Sequence, residues 1–205
     1  MDHQQYVAVV PVKPPAVGKS RLGLGADLRR DLAAAFALDT VTACLATDAV
    51  AQVLAVTDDA MFARDLAVAG CAVLPDGPSG DLNTSLVLAA AEAQRRWPSL
   101  RPVALCADLP ALRPEDLAEA LATAAAHESA FVADAAGVGT TMYTAIPGAF
   151  LPRFGPGSRA AHLAGGAAEI PGLLPSLRQD VDDLVDLARA DSLGLGWHTA
   201  RLEMP

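Results

Sequence analysis

The sequence predicts an α/β fold built on a mixed, mostly parallel sheet, and three observations carry that prediction. Short apolar, β-branched runs alternate with amphipathic segments as far as residue 128, the signature of successive βαβ units. A later pair of apolar runs, joined through a glycine-containing turn, adds antiparallel pairing. Only 4% of residues are aromatic while Ala, Val and Leu abound, which suits close helix–sheet packing better than an all-β shell. A chain of 205 residues, 52% of them hydrophobic, suffices for one sizeable core, so a single domain over 1–205 is expected.

The elements follow in order. Residues 6–12 (YVAVVPV) read as a buried strand, and a Pro/Gly-rich loop runs from Pro14 to Gly25. From Asp27, apolar residues at Leu28, Leu32 and Phe36 recur every fourth position, predicting a helix to about Asp48. A strand is expected at 51–56, a helix at 59–69 and a short strand at 71–74. The segment PDGPSGD (75–81) is a loop. A helix at 84–96 precedes a central strand at Pro102–Ala107. Pro114, Glu115 and Asp116 then open another helix, with Pro in its first turn and acids favoured by the dipole. Strands are expected at 130–133 and 140–146. Beyond the polar FGPGSRAAH segment (154–162), Leu173–Arg178 reads as a possible strand and a helix starts at Asp182.

Charge excludes several functions. Fifteen Lys and Arg against 24 Asp and Glu leave a net charge of −9, which argues against a nucleic-acid partner and gives no help at an anionic membrane. Cys44, Cys71 and Cys106 form no C-x-x-C pair, so neither a disulfide framework nor a zinc site is expected, and a cytoplasmic protein is the natural reading. The start MDHQQYVAVVPVK lacks a basic leader region, and Gly and Pro interrupt the longest uncharged stretch, 135–152.

In open α/β sheets ligands sit at the carboxyl ends of the strands. Lys13 follows the first strand, Asp108 the central one and Asp180 the possible last one. Lys13 and Lys19 are the only lysines, and they share one loop with Arg21 and no acid, a patch able to hold phosphate against the overall negative field. Gly18-Lys19-Ser20 lacks the glycine that a P-loop needs at position 13, and no complete G-x-G-x-x-G occurs. Asp108 in LCADLP could meet a hard cation at the sheet rim or simply form a turn. Asp180 and Asp182 supply a second acidic point, where Asp182 or Asp183 could instead cap the last helix. Thr140 in GVGTT and Ser158 in RFGPGSRAAH offer hydroxyl donors among glycines that let a ligand approach the backbone. If Ser158 opens a helix, its neighbouring N–H groups also favour an anion. His162 reads as a hydrogen-bonding partner rather than a base, and no Ser/His/Asp or Cys/His arrangement assembles.

Taken in order, VPVKPPAVGKSRL (10–22), DLNTSL (81–86), LCADLPAL (105–112), FVADAAGVGTT (131–141), RFGPGSRAAH (153–162) and LRQDVDDL (177–184) resemble the CofC/FbiD family. These are 2-phospho-L-lactate or phosphoenolpyruvate guanylyltransferases of coenzyme F-420 biosynthesis. They belong to the wider group of three-layer, Rossmann-like (GT-A-like) nucleotidyltransferases that includes the MobA-like enzymes. MobA-like relatives usually open with a glycine-rich loop ending in Arg-Met-Gly, where this chain has its lysine loop.

The resemblance implies GTP as donor, Mg²⁺ as cofactor and phosphoenolpyruvate or 2-phospho-L-lactate as acceptor, with 3-phosphoglycerate a further option. It implies that Lys13, Lys19 and Arg21 hold phosphates, with Asp108 and Asp180 or Asp182 on the metal. Thr140, Gly155 and Ser158 would bind the acceptor, and Leu82 and Asn83 would frame the guanine. The family's usual glycine before the metal-binding Asp is Ala107 here, and its D-x-D-T-P is Asp180-Val181-Asp182-Asp183-Leu184. Asp180 is favoured as the ligand. Another nucleotidyltransferase, a sugar transferase of the same scaffold and a non-catalytic nucleotide-binding module are the alternatives. A sugar transferase would normally carry D-x-D where this chain has Asp108-Leu109-Pro110. The abundant Ala, Leu and Val leave room for a homodimer surface.

Overall fold

A computed structural model describes residues 4–14, 22–77 and 80–203. Its centre is a seven-stranded sheet in the order β3-β2-β1-β4-β6-β5-β7. The strands are β1 (Tyr6–Pro11), β2 (Val50–Val56), β3 (Ala72–Leu74), β4 (Arg101–Leu105), β5 (Ser129–Ala133), β6 (Thr140–Ala145) and β7 (Ala168–Glu169). β1 pairs in parallel with β2 and β4, and β2 with β3. β6 runs against both β4 and β5, while β7 lies parallel to β5. The expected mixed, mostly parallel α/β sheet is what forms.

The described residues form eight helices, five between strands and three after β7: α1 (Ala26–Leu45), α2 (Ala60–Ala69), α3 (Leu82–Arg96), α4 (Pro114–Ala124), α5 (Ser158–Ala164), α6 (Pro175–Arg178), α7 (Leu184–Leu193) and α8 (Trp197–Ala200). Side-chain alternation divides the core into two layers, as the period of two in a strand requires. From β1, Ala8 and Val10 join Val103, Leu105, Val132 and Met142 beneath α1, α2 and α4. Val7 and Val9 point the other way, with Leu54, Ala104, Phe131 and Tyr143, towards α3 and the 149–167 region. A smaller cluster of Leu32, Phe36, Ala111, Val181 and Leu187 ties α1 to α7 beyond the sheet.

Asp59 caps α2, its carboxylate accepting from the N–H groups of Met61 and Phe62, and Asp81 caps α3 through Thr84. Two expectations need correction. Leu173–Arg178 is no strand: Leu174 adopts φ 40°, Pro175 follows at the first helical position, and the segment closes into the single turn α6. The Asp116 carboxylate holds that turn by accepting from both the N–H and the hydroxyl of Ser176, at 2.8 and 2.6 Å. Asp180 therefore follows a helical turn rather than a strand. Asp183, not Asp182, caps α7, accepting from the N–H groups of Val185 and Asp186, and α7 is followed by the short α8.

Candidate active site

The register of the sheet decides which side chains share one edge. β1 and β4 run in parallel, with Val9 beside Ala104, so Lys13 and Asp108 leave the sheet at the same carboxyl edge. β6 runs the opposite way and contributes its first residue, Thr140, to that edge, next to Ala133 at the end of β5. The N–H of Cys106 donates to the carbonyl of Thr141 at 2.9 Å, which brings the start of β6 alongside the turn at Asp108.

That turn is held from below. The N–H of Leu109 donates to the Thr40 hydroxyl at 3.1 Å, and this hydroxyl donates in turn to the carbonyl of Phe36 within α1. Segment 178–181 crosses the same edge on two backbone bonds. Ala135 N–H donates to the carbonyl of Arg178 at 2.8 Å, and Val181 N–H to the carbonyl of Asp108 at 3.0 Å. Val181 itself is fully buried in the α1–α7 cluster. Asp180 is thereby suspended between Asp108 and the Asp134 turn. Burial and the Asp108 carboxylate, with smaller contributions from Asp134 and Asp182, push its carboxyl up to about 7. Asp182 is exposed, and its N–H donates to the Asp186 carboxylate at 3.3 Å.

Asp134 shapes the neighbouring loop. Its carboxylate accepts from Val138 N–H at 2.9 Å and Gly139 N–H at 2.8 Å. A Cβ on Gly139 would collide with this carboxylate, so the close wrap requires glycine. The wrap feeds directly into Thr140, which is 6% exposed.

The segment carrying Gly155 and Ser158 docks on this loop at two points. Arg159 N–H donates to the carbonyl of Val138 at 3.1 Å, and Nδ1 of His162 lies 3.0 Å from the Thr140 hydroxyl. Nε2 of His162 accepts from Arg153 N–H at 2.9 Å. The His162 ring stacks on Tyr143 (centroids 4.7 Å apart) and Phe131 (5.3 Å), and meets Phe154 edge-on. Burial pushes this imidazole down to about 4, with the Arg153 charge acting the same way against a raising contact from the Ser158 backbone. Gly155 sits at φ 128°, a conformation favouring glycine, and its carbonyl accepts from Ser158 N–H at 3.1 Å.

The structure brings Lys13, Asp108, Asp180 and Thr140 to one edge, with Gly155 and Ser158 joined to it through His162. Lys19 and Arg21 lie outside the described residues. Leu82 and Asn83 open α3 on the other layer. The Asn83 carboxamide is engaged with the backbone of Phe154, donating to its carbonyl at 2.9 Å and accepting from its N–H at 2.8 Å. Asn83 thus braces the segment that leads into Gly155 and Ser158. Asp134 and His162 were not among the sequence-predicted site residues. The signal available for them was an acid five residues ahead of Gly139 and a histidine four residues beyond Ser158.

Among the described residues no group of three or more His, Cys, Asp or Glu is arranged to hold a metal ion. The donor set at Asp108 and Asp180 is nevertheless two hard carboxylates crowded at a partly buried edge, the chemistry that suits a divalent cation sharing its shell with phosphate oxygens and water. No described helix is long and apolar enough to cross a membrane.

No family model matches the chain. A relative from Thermomonospora curvata, named phosphoenolpyruvate guanylyltransferase, is 52% identical over 198 residues, covering 95% of this chain and 86% of its own length. A second with the same name, from Streptomyces coelicolor, is 51% identical over 200 residues, covering 96% of this chain and 94% of its own. The chain belongs to the phosphoenolpyruvate guanylyltransferase family. Solved structures agree on the scaffold of this family. A nucleotidyl transferase from Methanothermobacter superposes with TM-score 0.60 at 20% identity, covering 93% of this chain and 98% of its own. Rv0371c of Mycobacterium tuberculosis H37Rv, solved with manganese, superposes with TM-score 0.54 at 21% identity, covering 91% and 98%. At such identities these likenesses carry the nucleotidyltransferase fold alone.

Proposed function

We propose that this chain transfers GMP from GTP to the phosphate of phosphoenolpyruvate and releases pyrophosphate, a step of coenzyme F-420 biosynthesis in the cytoplasm. The observation that carries the reading is the meeting of Asp108 and Asp180 at the carboxyl edge of β4, in a chain of the family named above. A phosphate oxygen of the acceptor attacks the α-phosphorus of GTP. The bond from that phosphorus to the bridging oxygen of the β-phosphate breaks, and pyrophosphate leaves. The nucleophile is already ionised at neutral pH, so no general base is needed, in keeping with a His162 ring that is buried and engaged at both nitrogens.

The task left to the protein is to align two anions that repel each other. Lys13, at the exposed end of β1, offers positive charge to the triphosphate, a role extended to Lys19 and Arg21 by family likeness. Asp108 and Asp180 are the residues to hold Mg²⁺, with Asp182 outside them. When bound, that ion would neutralise triphosphate charge and stabilise the departing pyrophosphate. Asp180 suits this role better than Asp182, being half-buried against Asp108 where Asp182 is exposed. Thr140, Gly155 and Ser158 would hold the carboxylate or phosphate of the acceptor.

The test is pyrophosphate release from GTP and MgCl₂, with pyrophosphatase present, and with phosphoenolpyruvate, 2-phospho-L-lactate or 3-phosphoglycerate as acceptor. Phosphoenolpyruvate is expected to give the highest kcat/KM. Folded protein that releases no pyrophosphate with any of the three would overturn the proposal.

A further inference from the structure

We propose that His162 is a positioning residue for the acceptor: its Nδ1–H donates to the Thr140 oxygen and turns the threonine's own hydroxyl hydrogen towards the bound phosphorylated acid. The inference rests on the guanylyl-transfer reading and deepens it.

The tautomer follows from the partners. Arg153 N–H is a donor with no alternative role, so the Nε2 it reaches at 2.9 Å must present a lone pair. A neutral imidazole then carries its proton on Nδ1, which lies 3.0 Å from Thr140 Oγ1, with the Ser158 backbone carbonyl a second acceptor facing the ring. Threonine has one hydroxyl hydrogen and two lone pairs. With one lone pair occupied by the ring N–H, the hydrogen is free to be donated, and a carboxylate or phosphate is the acceptor that best rewards it.

The ring is built to stay put. His162 is 1% exposed, lies against Tyr143 and Phe131, and is met edge-on by Phe154. Through Arg153 N–H the same ring also fixes the chain two residues before Gly155. One side chain therefore sets both the Thr140 donor and the segment that leads to Gly155 and Ser158. It touches no reacting atom itself.

Steady-state kinetics on His162→Phe, His162→Asn, Thr140→Val and the Thr140→Val/His162→Phe double variant tests this, with the wild type alongside. His162→Phe keeps a stacked ring and loses both nitrogens. It is expected to raise the KM for phosphoenolpyruvate about 10- to 100-fold, as loss of a hydrogen bond to a charged group does, with the KM for GTP within twofold. His162→Asn places an amide N–H near the former Nδ1 and should recover the part of that loss that runs through Thr140. In a Thr140→Val background, His162→Phe should cost clearly less than it does alone, the remainder being the lost acceptor for Arg153 N–H. An unchanged acceptor KM in His162→Phe, an Asn variant no better than Phe, or full additivity with Thr140→Val would each overturn the proposal. Nitrogen-15 NMR of the wild-type imidazole needs no variant to fold: an Nδ1–H tautomer supports the assignment and an Nε2–H tautomer ends it. A wild type inert with GTP and every acid would instead overturn the transfer reading, and this proposal with it.

Discussion

The N–H of Val181 donates to the carbonyl oxygen of Asp108 across 3.0 Å. This one bond joins the loop after β4 to the segment entering α7, and sets Asp180 beside Asp108. Buried Val181 on one side and the Ala135–Arg178 bond on the other leave the Asp180 backbone little freedom. The two carboxylates are held together by main chain, against their own repulsion.

Replacing Asp108 by Asn keeps the carbonyl that Val181 uses, so the fold should survive with Tm within about 2 °C of wild type. Loss of the charge should lower kcat by about 100-fold or more, the scale of several kcal/mol expected of a metal-binding carboxylate. Pyrophosphate release and a thermal melt on the same sample check both halves. Near-normal turnover would remove Asp108 from the metal role.

Asp180→Asn relieves like-charge crowding with Asp108, Asp134 and Asp182. In EDTA the variant should melt about 2–4 °C above wild type, the shift that about 1 kcal/mol produces in a domain of this size. The order should reverse in MgCl₂ with GTP, where the wild type gains a ligand that the variant holds poorly. A variant less stable than wild type in EDTA would mean that the cluster is not strained by its charge.

Much of this was readable in advance, and the gaps have physical causes. β1, β2, β4, β5 and β6 announce themselves because buried β-branched runs between breakers have few other uses. Asp108 and Thr140 stand out by their place at strand ends. Leu173–Arg178 misleads because Leu173, Leu174 and Leu177 look like strand, while Pro175 after a left-handed Leu174 makes a helical turn. β7 has two residues and leaves no periodicity. Asp134 and His162 act through backbone N–H groups and a hydroxyl that only the tertiary fold brings near. The pairing of Asp108 with Asp180 is likewise a long-range contact that spacing along the chain does not encode.

Asn83 and the backbone of Phe154 form a reciprocal pair of hydrogen bonds. Asn83→Ala leaves a partly buried N–H and C=O without that partner and should destabilise the protein by about 1–3 kcal/mol. Amide exchange at Phe154 should quicken, and the KM for the acceptor should rise while that for GTP changes less. A rise confined to the GTP KM would return Asn83 to the guanine side.

The depressed His162 pKa makes stability depend on pH with a definite sign. Between its unfolded value near 6.5 and its folded value of about 4, the unfolded chain binds a proton that the native ring refuses. The His162 contribution is therefore fully present above about pH 6.5 and is lost as the solution is acidified towards pH 4, while Asp180, raised to about 7, acts in the opposite sense over the same window. Between pH 7.5 and 5.5, still above the pI near 4.7, the His162 contribution is about 1 kcal/mol. Urea unfolding of wild type and His162→Asn at these two pH values should show the wild type losing about 1 kcal/mol relative to the variant, the Asp180 contribution being common to both. Equal changes in the two proteins would mean that the ring titrates normally in the fold.

The union of two phosphates is most directly tested by phosphorus-31 NMR of GTP, phosphoenolpyruvate, MgCl₂ and pyrophosphatase incubated with the protein. The expected result is loss of the γ- and β-phosphate signals to inorganic phosphate and growth of two coupled diphosphate-diester resonances, one from each reactant. A spectrum in which phosphoenolpyruvate persists unchanged, or in which GTP falls to GMP with no new P–O–P linkage, would contradict the account.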